Sequence, residues 1–146
     1  MHPKKERTLV AVKHDGVQRS LVGEIIKRVE RTGLKITALK MWLPDMARTV
    51  EHYGKDDAWK EKVGKGWIDS LTKEGRIIEK TAIGYGDQLL NQLYKYFMTG
   101  PVVGFVVEGN NSVAIVKKLV GGTEPTTSDV GTIRGDYTLD SYFLAN

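Results

Sequence analysis

The chain has 146 residues and no cysteine, which excludes disulfide staples, zinc–thiolate sites and thiol nucleophiles. With 40% hydrophobic and 27% charged residues and a formal net charge of +4, it reads as one globular domain. That charge permits a polyanionic partner without naming one, and scattered cations such as Lys60, Lys62 and Lys65 read as solvated faces.

Taken in chain order, "MHPKKERT" lacks the apolar middle of a secretory signal, and no later apolar run approaches the roughly 18 residues of a membrane span. The expected location is therefore the cytoplasm, with no membrane partner. "TLVAVK" (8–13) predicts a strand ending in a turn at "HDG". Leu21, Val22, Ile25, Ile26 and Val29 recur at helical spacing, with Ser20 placed to cap the helix and Gly33 to end it. "LKITALKMWL" (34–43) alternates for part of its length and stops at Pro44, which predicts a second strand.

A short helix is expected over 45–53, and Trp59, Val63, Trp67 and Leu71 form an i, i+4 stripe that reads as core or subunit interface. A further amphipathic helix runs around Leu89, Leu93 and Phe97. "PVVGFVVEG" (101–109), nearly continuous in valine, predicts a central strand, and 112–120 predicts a helix closed by Gly121 and Gly122. The order strand, helix, strand, helices, strand, helix lacks one strand of a split βαβ, or ferredoxin-like, α/β unit with an antiparallel sheet. "YTLDSYFL" (137–144) does not alternate cleanly, so it leaves extended chain and a tight helical turn equally open.

Three stretches carry candidate chemistry. In "VKHDGVQR", Lys13 stands at the carboxyl end of a strand, where the ligands of α/β sheets gather. In "EHYG", Tyr53 sits at a helix end, able to hydrogen-bond a phosphate or simply to pack. "GGTEPTTSDVGTIRGD" reads as a long loop whose single arginine, Arg134, offers a rigid fork for phosphate oxygens.

Together, "TLVAVKHDGVQRSLVGEIIKRVERTGLKI", "EHY", "GPVVGFVVEG" and "GGTEPTTSDVGTIRGDY" resemble nucleoside diphosphate kinases over residues 7–137. The resemblance implies a ferredoxin-like fold and ping-pong transfer of a γ-phosphate from a nucleoside triphosphate to a diphosphate through a phosphohistidine. Mg2+ would be bound through the phosphates of ATP or another triphosphate. It implies that Lys13 holds phosphates, Tyr53 lines the nucleophile pocket, and Thr123 and Arg134 bind the β- and γ-phosphate region.

Lys117 stands where that family usually has arginine, keeping the charge but losing the fork. His14 replaces the usual proline. Leu89 and Leu93 align with the positions that contact the base, so apolar contact would replace ring stacking. Residues 55–86 look like an insertion in a single domain spanning 1–146, and a homo-oligomer is expected.

The family's "N-x-x-H-G-S" segment, with its nucleophile and last strand, is absent from this sequence. Of His2, His14 and His52, only His14 lies beside the phosphate motif, and the family geometry places the nucleophile elsewhere. The favoured expectation is a natural chain continuing past Asn146. The alternatives are an inactive nucleotide-binding or scaffold protein on the same fold and, ranked last, a nucleic-acid module, for which "VVGFVVEG" lacks the stacking aromatics. Nucleic acid is thus not a required partner.

Overall fold

In the computed structural model, residues 5–138 are described. In chain order the elements are β1 (Lys5–Val12), α1 (His14–Gln18), α2 (Val22–Glu30), β2 (Lys35–Trp42), α3 (Met46–Tyr53), α4 (Asp57–Lys73), α5 (Ala82–Phe97), β3 (Val102–Asn110) and α6 (Ser112–Val120), followed by a 3-10 turn (Pro125–Thr127) and α7 (Ile133–Tyr137). They fall into two compact units, one holding the strands and the other being Leu43–Pro101. The expectation for 137–144 lies largely outside the described residues, since only Tyr137 and Thr138 are included.

In the sheet unit, β3 lies between β1 and β2 and runs antiparallel to both. β1 and β2 are therefore mutually parallel, joined by α2 with a third strand inserted between them: the split βαβ arrangement. Phe105 faces Val10 on one side and Leu39 on the other, and Val103 faces Val12 and Met41. Because alternate residues share a face, Val10, Val12, Val103, Phe105 and Val107 form one apolar surface, which Ile25 and Val29 of α2 and Val116 of α6 cover. The valine-rich run is the central strand, as its composition implies.

Three local expectations change. Ser20 does not cap α2: with φ of 58° it closes the short α1, whose last turn hydrogen-bonds through the Ser20 N–H to the Val17 carbonyl. A side-chain N-cap needs extended backbone, so the capping position passes to Leu21, which supplies no side-chain acceptor. The turn expected at "HDG" is instead the start of α1, while the partial alternation expected of β2 is borne out, a bulge between Ile36 and Ala38 reversing the faces of the residues that follow. The glycine-rich stretch is not a continuous loop, since the Thr132 hydroxyl accepts from the Gly135 N–H and starts α7.

In the helical unit, Asp45, Asp56 and Thr81 cap α3, α4 and α5 through side-chain oxygens. α4 and α5 pack backbone against backbone. A Cβ on Gly64 would lie 1.7 Å from the Ala82 carbonyl oxygen, and one on Gly86 would lie 2.3 Å from that of Lys60. The expected stripe on α4 joins this contact, with Leu71 buried and the Trp67 ring 5.4 Å from that of Tyr85. Lys60 Nζ bridges Asp57 at 3.2 Å and Asp87 at 3.0 Å. Among the described residues no helix is long and apolar enough to cross a membrane.

Candidate active site

β1 ends at Val12, and extended backbone at Lys13 leads directly into α1. Lys13 enters a cleft of about 130 Å³ together with Asp15, Arg19, Arg134 and Tyr137, over an apolar floor that includes Val10 and Val12. Burial lowers the Lys13 ammonium below its ordinary pKa; the Asp15 carboxylate opposes that shift and the Arg134 guanidinium adds to it. Two cations are thus held close together in a partly desolvated place, an arrangement that favours an anion.

Arg134 also borders a neighbouring groove with Thr8, Lys117, Gly121, Gly122 and Thr123. Its guanidinium donates to the carbonyls of Gly122 at 3.0 Å and Gly121 at 3.4 Å. Carbonyls are weak partners for a cation, and a phosphate could displace them. Lys117 occupies the last turn of α6, and Thr123 follows the two glycines; both side chains are exposed. Lys13, Lys117, Thr123 and Arg134, four residues singled out in the sequence, are therefore brought to two clefts that share Arg134.

The segment bearing Arg134 is tightly built. Gly131 adopts φ of 92°, a conformation that side chains resist, and a Cβ on Gly135 would meet the Asp129 carbonyl oxygen at 2.1 Å. Asp136 Oδ1 accepts from the Gly131 N–H at 2.7 Å, while Oδ2 lies 2.7 Å from Arg28 Nη1. The Gly131 N–H first, and then Arg28, holds the Asp136 carboxyl below its usual pKa. Arg28 also donates to the Tyr137 hydroxyl at 2.8 Å and lies over that ring, 4.5 Å from its centre. Arg19 donates to the Tyr137 carbonyl.

Sequence reading passed over Arg28, Arg19, Asp136 and Tyr137. Helical phase places Arg28 on the margin of the apolar face of α2 beside Glu24, and only tertiary contact reveals its partners Asp136 and Tyr137, which lie far along the chain.

Tyr53, Leu89 and Leu93 belong to the helical unit. Tyr53 is the last residue of α3; its ring meets those of His52 and Phe97 edge-on, at 4.6 and 5.2 Å, and His52 stacks on Phe97 at 5.9 Å. Leu89 and Leu93 lie one turn apart on α5, both half-buried. His14 is only 8% exposed at the start of α1, a poor position for meeting a nucleotide phosphate.

A sequence model described as nucleoside diphosphate kinase matches residues 6–73 and 82–142. The chain belongs to the nucleoside diphosphate kinase family. A family member from Pyrobaculum aerophilum is 41% identical over 146 residues, covering 96% of this chain and 79% of the relative. The solved structure of an NDP kinase from that organism superposes with a TM-score of 0.85 at 37% identity, covering 97% of this chain and 80% of that one. A nucleoside-diphosphate kinase from Borrelia burgdorferi, solved as a transition-state mimic with vanadate and ADP, gives a TM-score of 0.72 at 34% identity, covering 95% and 69% of the two chains. These likenesses agree with the ferredoxin-like α/β architecture read from the strand order.

Proposed function

We propose that this chain works as a nucleoside diphosphate kinase, moving the γ-phosphate of a nucleoside triphosphate to a nucleoside diphosphate by way of a phosphohistidine. The observation that carries this reading is the pairing of a partly desolvated Lys13 with Arg134 across one cleft, inside a family frame that matches most of the chain.

In this reading Arg134 exchanges its backbone carbonyls for phosphate oxygens. Lys13 neutralises charge at the same anion, while Thr123 and Lys117 extend the phosphate track along the adjoining groove. Such prepositioned cations act chiefly by electrostatic stabilisation of the transferring group, since phosphoryl transfer asks little covalent work of the rest of the site. For Tyr53, Leu89 and Leu93 the family resemblance alone supports the roles of nucleophile-pocket lining and base contact; within the helical unit Tyr53 is packed by His52 and Phe97.

The two clefts are lined by cations and hydroxyls with the single carboxylate of Asp15, and among the described residues no cluster of three metal-binding side chains occurs, which suits phosphate better than a bare metal ion. Mg2+ therefore belongs to this site through nucleotide phosphates, supplying charge neutralisation between neighbouring phosphate groups. No side chain is assigned to it.

The nucleophile is assigned to none of His2, His14 and His52: the phosphate site is what these residues supply, and the phosphohistidine is the part of the proposal that phosphorylation of the natural protein decides. The test is the intact mass of the natural protein before and after incubation with ATP and Mg2+. A gain of one acid-labile phosphoryl group is the expected result. ADP binding without any phosphoryl gain would remove the transfer step and leave a nucleotide-binding protein on a kinase frame.

A further inference from the structure

We propose that Arg28 is a positioning residue for the phosphate site: by clamping Asp136 and Tyr137 it keeps α7 helical and holds a competing carboxylate away from Arg134. The inference rests on the reading of Arg134 as a phosphate ligand.

The starting point is the length of α7. Five residues cannot sustain a helix alone, since nucleation costs more than one or two hydrogen bonds return. Conformation decides where Asp136 points relative to Arg134. In a helix, residues i and i+2 face different ways, whereas in extended chain they share a face. Should α7 unwind, Asp136 would come to the side of Arg134, and a carboxylate is a far better partner for guanidinium than the carbonyls Arg134 now meets. The result would be an internal ion pair occupying the fork that should receive phosphate.

Arg28 opposes this at several points at once. Its Nη1 holds Asp136 Oδ2 at 2.7 Å, its Nη2 donates to the Tyr137 hydroxyl at 2.8 Å, and its Nε lies 3.4 Å from Glu24 Oε1. Glu24 sits one turn earlier on α2, so the guanidinium is aimed from its own helix before it reaches α7. The Arg28 and Asp136 side chains are 18% and 24% exposed, enough burial for geometry to be kept. Asp136 Oδ1 is meanwhile engaged by the Gly131 N–H, so both carboxylate oxygens are committed away from Arg134.

The experiment measures ADP binding by titration calorimetry for the parent protein and for Arg28→Met, Arg28→Lys, Arg134→Ala and the double variant Arg28→Met/Asp136→Asn, with a thermal melt on each. Arg28→Met is expected to weaken ADP binding by roughly threefold to tenfold, the scale of one ordinary hydrogen bond, because Arg28 acts on the ligand only through Arg134. Arg28→Lys should recover part of it. The deciding variant is the double: asparagine still accepts from the Gly131 N–H but carries no charge, so binding should return towards the parent value even where the melting temperature does not.

A double variant as weak as Arg28→Met, or an Arg28→Met protein that melts earlier yet binds ADP normally, would reduce Arg28 to a structural residue and overturn the inference. If Arg134→Ala binds ADP like the parent, the underlying site reading fails instead, and this inference falls with it through a separate measurement.

Discussion

Lys13 illustrates how one side chain's environment becomes a measurable property. Burial has lowered its pKa below the ordinary value of 10.5, so the folded chain binds a proton there less tightly than the unfolded chain does. Stability from this group therefore rises with pH between the lowered value and 10.5, where only the unfolded chain holds its proton in full. A bound phosphate reverses the shift by favouring the ammonium. Calorimetry of ADP binding in that alkaline window, run in two buffers of different ionisation enthalpy, should report net proton uptake, and Lys13→Met should abolish it. The same substitution should cost about 1.5–3 kcal/mol of ADP affinity, as for other charged hydrogen bonds.

Asp136 shifts in the same direction for the opposite reason: the fold favours its charged form instead of penalising it. Its folded pKa lies below the usual 3.8, so its stabilisation is complete above that value and is lost as pH falls through the lowered one. Amide protection over 131–137 should hold at mildly acidic pH and collapse only in stronger acid, and Asp136→Asn should flatten that dependence. At this scale the gathering of Lys13, Lys117 and Arg134 at adjoining clefts was legible because their motifs resemble a known family; their role as phosphate ligands is the proposal. Arg28 was not, because nothing local distinguishes it from any arginine on an amphipathic helix.

Among the elements, the contact between α4 and α5 depends on two glycines rather than on large side chains. Gly64 and Gly86 each face a carbonyl oxygen closer than any Cβ can tolerate, and the opposing atom is backbone that cannot swing aside. Gly64→Ala and Gly86→Ala should each destabilise the helical unit by at least about 1–3 kcal/mol, the usual cost of overpacking, seen as a lowered melting temperature. On the same helix, a Cβ added to Gly66 would meet no atom within 4 Å, so Gly66→Ala should be neutral or slightly stabilising through helix propensity.

Helices α2, α5 and α6 were legible from periodicity, and β3 from its continuous valines, because burial imposes those patterns directly, whereas α1 was missed because "HDG" has the composition of a turn. The short α7 was not, since glycine within "TIRGD" masks a helix that exists through the Thr132 cap and through contacts with α2. The start of α2 was misjudged for a related reason: Ser20 has the composition of a cap, but the preceding turn dictates its backbone.

At the scale of the whole molecule, the sheet leaves β2 as an edge. Its pairing is with β3 alone among the described residues, and Leu39 and Met41 are 58% and 57% exposed although their register places them beside core residues Phe105 and Val103. Exposed, apolar edge strands invite pairing with another chain unless something covers them. The lysines at 35 and 40 blunt this edge in part, yet they leave the row of Leu39 and Met41 unprotected. A second copy of the chain is the simplest cover, because a two-fold arrangement sets the same strand against itself and satisfies both edges together. The expected homo-oligomer should therefore depend on β2. Leu39→Glu combined with Met41→Lys should shift the sedimentation coefficient towards that of a monomer while Val10, Val103 and Phe105 keep the sheet folded, as judged by far-ultraviolet circular dichroism. A parent that already sediments as a monomer, or a variant with an unchanged sedimentation coefficient, would remove β2 as the contact between copies.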